Sequence, residues 1–317
     1  MSLTEPLSLP GTMTVIELAQ PGGPEVLRPA TRPVSTPGLG EVLVRVRAVS
    51  INPVDTKVRR NGPLPTLPAV LGWDVSGEVV AVGPFVNEFA VCDEVFGMLA
   101  FPEQPGAYAE YVLARAGDIT IKPAELNHTD AAAMTLAALT AEQALEKMNL
   151  RAGQRILIHA GAGGVGHYAV QLARARGAHV IATASAHNMD FVRSLGADEV
   201  IDYRARPFEE QVRGLDAVLD TVGGDTATRS LEVLRPGGWL VCIAAQPDAA
   251  RAQALGVHAA RILVYPSRAG LNTLVKLVEA GRLRSHVSRT FPLAQVADAH
   301  RAQETGRTVG KLVLTVP

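Results

Sequence analysis

The chain has 317 residues, 47% of them hydrophobic and 19% charged, with a formal net charge of −1. That length accommodates two domains, the composition is that of a globular rather than a disordered chain, and the near-zero charge leaves no global basic field to attract nucleic acid or anionic lipid. The two cysteines, Cys92 and Cys242, lack the local pairing of a zinc site or a disulfide framework and read as inert thiols. No apolar run reaches the roughly 18 residues of a membrane span. The opening MSLTEPLSLPGTM has neither the basic start nor the apolar stretch of a signal peptide, so residues 1–11 read as a loose extension and a cytoplasmic setting is expected.

In chain order, the first third is rich in Val, Gly and Pro. EVLVRVRAVSI (41–51) alternates apolar and charged residues as a half-buried strand does. KVRR (57–60) reads as an exposed loop or strand end. DVSGEVVAVG (74–83), DEVFGM (93–98) and GAYAEYVLA (106–114) are further strands, so this part is a β-rich unit. Beyond Pro123 an alanine-rich helix begins, with Asn127 or Thr129 as its cap. After Gly153 strands and helices alternate: RILIHA, a helix from GVGHYAV, HVIATA, a helix from NMDFVRSLG, EVIDY, a helix from FEEQVRG, DAVLDTV, a helix from TATRSLEVL, and WLVCIA. That alternation predicts a parallel sheet covered on both faces. A helix over LNTLVKLVEAGRL follows, then a strand, a helix, and a final strand KLVLTV.

The stretch IHAGAGGVGHYAVQLAR (158–174) carries Gly161, Gly163 and Gly166 in the spacing G-x-G-x-x-G. Alone that spacing is weak, but here it follows a strand, opens a helix and starts a βαβ unit. Gly161 is expected to permit a tight turn, Gly163 to let a pyrophosphate approach the backbone, and Gly166 to bring the helix close to the sheet. The helix N-terminus then offers free N–H groups and a positive dipole end to phosphate. NAD binders place an acid at the end of the second strand, about 20 residues on. Here Ser185 stands there, followed by His187 and Asn188, none of which repels a 2′-phosphate; NADP(H) is therefore expected. Ser185 is equally able to cap the next helix.

These motifs sit among LGWDVSGEVVAVG, AYAEYV, LTAEQAL, LGADEVIDYR, LDTVGG, LRPGG and GKLVL. The ordered set, which spans nearly the whole chain, resembles the zinc-independent quinone oxidoreductase (zeta-crystallin-like) branch of the medium-chain dehydrogenase/reductase superfamily. The resemblance implies an α/β protein: a GroES-like β-rich catalytic domain over residues 1–125, completed by 284–317, and a doubly wound Rossmann domain over 126–283 with NADP(H) in the cleft. By motif, Gly163, Gly164 and Val165 would meet the pyrophosphate, and Thr140 would face the nicotinamide carboxamide. Ser185 and Tyr203 would surround the 2′-phosphate. Thr221, Val222 and Gly223 would line the ribose, with Ile243, Ala244 and Ala245 after the next strand. Lys311 is either near the cofactor or an exposed strand lysine. Relatives are homodimers or homotetramers joined at a Rossmann sheet edge, for which GGWLVCIAAQ is the candidate strand.

Zinc-dependent members hold their metal with a Cys, a GHE motif and a later Cys or Asp. Here Asn52 replaces the first ligand, Trp73 occupies the His position, and the four-Cys lobe is missing, so no metal is expected. Without a Lewis acid, acceptors that already take hydride are favoured: quinones and α,β-unsaturated carbonyls. Asn52 is a candidate to hydrogen-bond the substrate oxygen, or is simply part of a turn; Tyr108 and Tyr111 are candidate donors, with packing as their alternative. Lys57 stands near a position where relatives have Tyr, and Asp55 and Asp74 read as structural. No general base is apparent, and solvent supplies the proton. The substrate loops NGPLPTLP (61–68), MLAFPEQPGAY (98–108) and the region 248–267 are apolar and proline-rich, consistent with a hydrophobic small molecule. Two rival classes are a zinc-type alcohol dehydrogenase and a non-enzymatic NADPH-binding sensor or RNA-binding crystallin-like protein. Relatives often carry Lys or Arg just after the serine, where this chain has His187 and Asn188. Protonated His187 is then expected to tighten NADPH binding in mild acid. His187→Ala should flatten the pH dependence of the NADPH dissociation constant, measured by nucleotide fluorescence.

Overall fold

The structure is a computed structural model that describes residues 9–62, 66–103 and 106–317. The expected extension over its first eight positions, and loop positions 63–65 and 104–105, lie outside them. The chain divides into two compact units: residues 1–136 with 266–276 and 287–317, and residues 137–265 with 277–286.

The first unit opens with strands β1 (Thr12–Leu18), β2 (Leu27–Pro33) and β3 (Glu41–Ile51) and helix α1 (Pro53–Asn61). Strands β4 (Ala69–Val70), β5 (Asp74–Val82), β6 (Glu94–Met98), β7 (Tyr111–Arg115) and β8 (Ile119–Ile121) follow. The long strand β3 pairs antiparallel with both β5 and β7. Along it, Arg45 and Arg47 are half-exposed while Val44, Val46 and everything from Ala48 to Ile51 is buried. Alternation therefore gives way to full burial toward its end, where the polar side chain of Ser50 enters the core.

Helix α1 is a correction to the expected exposed run at 57–60. Pro53 sits at the first helical position, where its missing N–H costs nothing. Asp55, at the third, accepts a hydrogen bond from Asn52 N at 2.7 Å. Asp55 and Arg59, four residues apart, share one face of the helix, and both are buried. Arg59 is only 1% exposed.

Helix α2 (His128–Lys147) starts where Asn127 Oδ1 accepts from Asp130 N at 2.8 Å, so Asn127 is the cap. The second unit then runs β9 (Arg155–Ile158), α3 (Gly166–Ala175), β10 (His179–Ala184), α4 (Met189–Ser194), β11 (Glu199–Asp202), β12 (Leu215–Asp220), α5 (Asp225–Ser230), β13 (Leu234–Cys242), α6 (Ala249–Ala254) and β14 (His258–Arg261). Its sheet has the order β11-β10-β9-β12-β13-β14, parallel throughout. This is the 3-2-1-4-5-6 order of the doubly wound dinucleotide-binding fold, whose order reverses between β9 and β12. The helix expected from FEEQVRG is only a 3-10 turn at Phe208–Glu210, pinned by the buried Phe208 ring. The region 248–267 is not a bare loop, because it contains α6 and β14. Strand β14 pairs with β13 and stacks His258 on Trp239, so GGWLVCIAAQ lies inside the sheet and not at its edge.

Helix α7 (Arg268–Glu279) leads to β15 (Val287–Pro292), α8 (Val296–Glu304) and β16 (Lys311–Thr315). Strand β16 lies parallel to β15 and antiparallel to β3, extending the larger sheet of the first unit to the order β15-β16-β3-β5-β6-β8, with β7 off that path. Among the described residues no helix is long and apolar enough to cross a membrane.

In the second unit His159 follows β9 and is 2% exposed. Ser230 Oγ donates to Thr226 O at 2.7 Å, so at 2.9 Å it accepts from His159 Nε2–H. Thr183 Oγ1 accepts from Ala160 N, leaving its own hydrogen for His159 Nδ1 at 3.3 Å. The ring is thus held neutral, and burial pushes its pKa down to about 4, against the pull of Asp220. A histidine depressed in the folded state binds its proton more readily when unfolded, so its contribution to stability is lost as pH falls from 6.5 toward 4. The stability difference between wild type and His159→Gln should shift against wild type by about 2 kcal/mol between pH 7 and pH 5, read from urea midpoints.

Candidate active site

The glycine turn occupies the switch point of the parallel sheet. Its geometry redistributes the roles expected of the glycines. The left-handed residue is Ala160, at φ 50°, and not Gly161. A Cβ on Gly161 would lie 2.9 Å from Ala182 Cβ on β10 and 3.1 Å from Val192 Cγ1 on α4, so this glycine admits the neighbouring strand and helix. A Cβ on Gly166 would stand 2.1 Å from Ala160 O, so Gly166 lets the start of α3 close onto the turn itself. At Gly163 the nearest atom to such a Cβ is Ala160 O at 3.2 Å, which leaves its outer side open. Among the described residues the N–H groups of Gly164 and Val165 find no backbone acceptor outside the helix, and both residues are half-exposed. Free donors at the N-terminus of a ten-residue helix, with no side chain in front of Gly163, fit a pyrophosphate.

Several other candidates of this unit lie in the loops that follow its strands. Thr221 Oγ1 donates to His159 O at 2.8 Å, tying the loop after β12 to the loop after β9. Buried Asp220, which the sequence did not single out, accepts from Val222 N at 2.9 Å and Gly223 N at 3.0 Å and so shapes that loop. A Cβ on Gly223 would lie 3.1–3.2 Å from Ala245 and Ala244, which puts the Thr221–Gly223 loop against the loop that follows Ile243. Asp220 also accepts from Cys242 Sγ, and burial pushes that thiol up to about 12, so Cys242 is not a nucleophile. After β10, the Ser185 hydroxyl makes no capping bond to the turn it precedes. Tyr203 N donates to Ala184 O at 3.3 Å, which brings Tyr203 beside it. His187 is exposed, Asn188 is half-buried, and Thr140 is buried in α2.

In the first unit, Asn52, Tyr108 and Lys311 belong to one buried polar cluster around Asp74. The Asp74 carboxylate accepts from Ser50 Oγ, Thr135 Oγ1, Leu136 N (2.9 Å) and Asn52 Nδ2 (2.8 Å). Lys311 Nζ lies 4.0 Å from Asp74, donates to Ile51 O at 3.1 Å, and donates to Asn52 Oδ1. Lys311 is 3% exposed, so it is not an exposed strand lysine; burial lowers its pKa and the Asp74 and Asp55 carboxylates oppose that. The Asn52 amide is engaged at both ends, by Asp74 and by Lys311, which differs from the expectation of an amide aimed at a substrate oxygen. Tyr108 is fully buried with its hydroxyl 3.0 Å from His300 Nε2. Asp55 is pushed up to about 7, mainly by burial with Asp74 adding to it, while Asn52 N, Lys311 and Tyr108 hold it down. Tyr111 is half-exposed at the wall of an apolar cavity of about 660 Å³, and Lys57 is exposed on α1.

Residues 38–124 match the alcohol dehydrogenase GroES-like domain family, and residues 195–314 match the zinc-binding dehydrogenase family. Over 331 aligned positions the chain is 34% identical to the NADPH-dependent alkenal/one oxidoreductase, chloroplastic, of Arabidopsis thaliana, covering 99% of this chain and 82% of that one. The solved structure of the quinone oxidoreductase from Coxiella burnetii is 38% identical, with a TM-score of 0.90 over 96% of this chain and 100% of that one. A mycobacterial structure solved with NADPH is 33% identical, with a TM-score of 0.86 over 96% of this chain and 99% of that one.

The chain belongs to the quinone oxidoreductase branch of the medium-chain dehydrogenase/reductase superfamily.

Part of that superfamily carries zinc, and the donor set here does not fit it. In this quinone oxidoreductase relative Asn52 offers an amide that is already bonded, Trp73 donates its Nε1–H to Glu103 O at 3.0 Å, and Asp74 is saturated by its own donors. Among the described residues no three His, Cys, Asp or Glu side chains are grouped to hold a metal ion. One cation was missed by reading only the residues that follow Ser185. Arg204 Nε donates to Tyr203 Oη at 3.2 Å and its guanidinium lies 5.5 Å from the ring centroid. It sits at the end of the adjacent strand, and LGADEVIDYR was the signal that held it.

The two carboxylates should respond to substitution in opposite ways. Asp74→Ala strands four donors and leaves Lys311 without its partner, which should cost roughly 3–5 kcal/mol. Asp55 is raised in the folded state, so the unfolded chain loses this proton first, and the group costs stability progressively as pH rises from 3.8 to about 7. Asp55→Asn should therefore raise the thermal midpoint relative to wild type, and more at pH 8 than at pH 5, as calorimetry would show.

Proposed function

We propose that this chain is an NADPH-dependent oxidoreductase that passes hydride to a quinone or an α,β-unsaturated carbonyl without a catalytic metal. The observation that carries this reading is the glycine turn at the sheet's switch point, with free N–H donors and with Ser185, Tyr203 and Arg204 in place of an acid after β10 and β11. The curated and solved relatives named above, a chloroplastic alkenal/one oxidoreductase and a quinone oxidoreductase, support the acceptor class.

Bound NADPH supplies the hydride. The residues of this chain bind, orient and shield it. Gly164 and Val165 N–H groups, at the positive end of α3, take the pyrophosphate. The Thr221–Gly223 loop, shaped by Asp220, lines the ribose together with Ile243, Ala244 and Ala245. Ser185 offers a hydroxyl to the 2′-phosphate, Tyr203 offers its phenol, and Arg204 supplies the charge that His187 and Asn188 lack. Asn52 and Lys311 hold each other in the catalytic unit, and Asn52 retains one amide hydrogen not used by Asp74. No exposed acid of that cluster stands ready to protonate the product, so solvent fills that role. Assembly as a homodimer or homotetramer through the outer edge of β14 is part of the same reading; exposed Leu263 and Tyr265, just beyond that strand, support it.

Steady-state oxidation of NADPH and NADH with 1,4-benzoquinone, 9,10-phenanthrenequinone and a simple enone tests the reading. Turnover with NADPH that survives exhaustive chelation is expected. Tight NADPH binding without turnover would favour a sensor instead. Arg204→Ala should weaken NADPH binding about tenfold, roughly 1.4 kcal/mol, and leave NADH binding unchanged.

A further inference from the structure

We propose that the second unit carries an anion site separate from the glycine turn: a cavity lined by Arg174, Arg282 and Arg284 at the far end of α3, which takes a small polyanion with two linked phosphate groups. The cavity measures about 450 Å³, and every residue that lines it belongs to that unit. Helix α3 has ten residues, so the cavity lies about 15 Å along the helix from the turn at its start.

The arginines are held in place by the protein itself. Gln171 on α3 is 5% exposed and fastens the backbone of Arg284 on both sides. Its Oε1 accepts from Arg284 N at 3.0 Å, and its Nε2 donates to Arg284 O at 3.0 Å and to His167 O at 2.8 Å. Arg282 NH2 donates to the carbonyl of Ala175, the last residue of α3. Arg284 NH2 donates to that of Ser194, the last residue of α4, at 3.4 Å. Each guanidinium thus spends one N–H on a helix C-terminus and has further donors to offer. The stem of Arg174 lies against Gly196, where a Cβ would meet its Cγ at 3.0 Å, and its NH1 donates to Asp198 at 3.0 Å. Three anchored forks around one space suit an acceptor with several oxygens, and little side-chain freedom is left to lose on binding.

Charge decides the class of ligand. Three guanidinium groups line the cavity and no carboxylate does. Asp198 balances Arg174, whereas Arg282 and Arg284 have no acidic partner among the described residues. The C-termini of α3 and α4 offset about half a charge each, which leaves roughly one positive charge over. A titratable neighbour registers the excess: the pKa of His286, stacked on Phe191 at 4.5 Å, is pushed down by burial and then by the Arg284 charge. Nearby acids are engaged elsewhere, Asp190 with Arg193 and Glu199 with His179. The glycine turn offers an anion its backbone N–H groups and the favourable end of a helix. This cavity offers side chains alone, with two helix ends opposed, so a single phosphate on one fork gains little. Two linked phosphates engage the forks together.

The test is calorimetric titration of the whole chain with sodium pyrophosphate at constant ionic strength, with NADPH saturating so that the turn is filled. Wild type should bind pyrophosphate in addition to NADPH, and more tightly than it binds inorganic phosphate or citrate. Gly281 lines the cavity at φ 67° with open space where a Cβ would stand. Asn and Asp tolerate that conformation better than other side chains. Gly281→Asn should therefore keep the affinity, while Gly281→Asp, equal in shape and strain, should lose about fivefold. The pair Arg282→Gln and Arg284→Gln should lose about tenfold or more. If that double variant does not fold, the Gly281 comparison, which removes no bond, decides. No pyrophosphate bound beside NADPH, or equal affinity in Gly281→Asn and Gly281→Asp, overturns the site. Citrate binding as tightly as pyrophosphate overturns the phosphate assignment. If NADPH does not bind at all, the proposed function falls; pyrophosphate is then titrated alone, and the same Gly281 comparison still decides this proposal.

Discussion

The fully buried carboxylate of Asp74 organises the polar core of the first unit. An isolated charge in that environment would be prohibitively costly, so four donors converge on it: Ser50 and Asn52 around the end of β3, and the Thr135 side chain and Leu136 backbone from α2. The Lys311 ammonium stands at 4.0 Å to balance the charge. Each of these groups is held by the carboxylate. Asn52 is held by that arrangement on one side and by Asp55 on the other. What looks like a small polar loop is therefore rigid because its charges have nowhere else to go.

The second unit solves a different problem with the same economy. Its turn must leave N–H groups unpaired for an anion, so the loops around it cannot be braced by those donors. Bracing comes from beneath: His159, Thr183 and Ser230 bond one another under the turn, and Asp220 gathers the backbone of the next loop. Gly164 and Val165 lie half-exposed after β9, beside the point where the strand order reverses. Rigidity below and vacancy above are what an anion-binding turn requires.

The parallel sheet and its glycine turn were legible in the sequence because period, spacing and context agreed there. Helix α1 was not, since a basic run such as KVRR reads as outward, and nothing local says that Arg59 finds Gly22 O, His300 and Glu304 inside the fold. Strand β14 was hidden for the opposite reason: HAAR has no apolar pattern, and it becomes a strand because Trp239 offers a neighbour to stack on. The expected role of Gly161 at the tight part of the turn passed to Ala160, a residue type whose positive φ no motif encodes. Asn52 was legible as a residue of interest because it stands where zinc-dependent members carry their first ligand. Its partners were not, because Lys311 is 259 positions away.

That separation has a consequence for how the molecule is born. Strand β16 inserts between β15 and β3, and it carries the lysine that neutralises the cluster at Asp74 and Asn52. A growing chain on the ribosome holds β3, β5 and α1 long before β16 exists. The second unit, most of whose sequence is made in one continuous stretch, is complete in its sheet by residue 261. Synthesis therefore completes the sheet of the second unit first, and the Asp74 cluster of the first unit waits for β16.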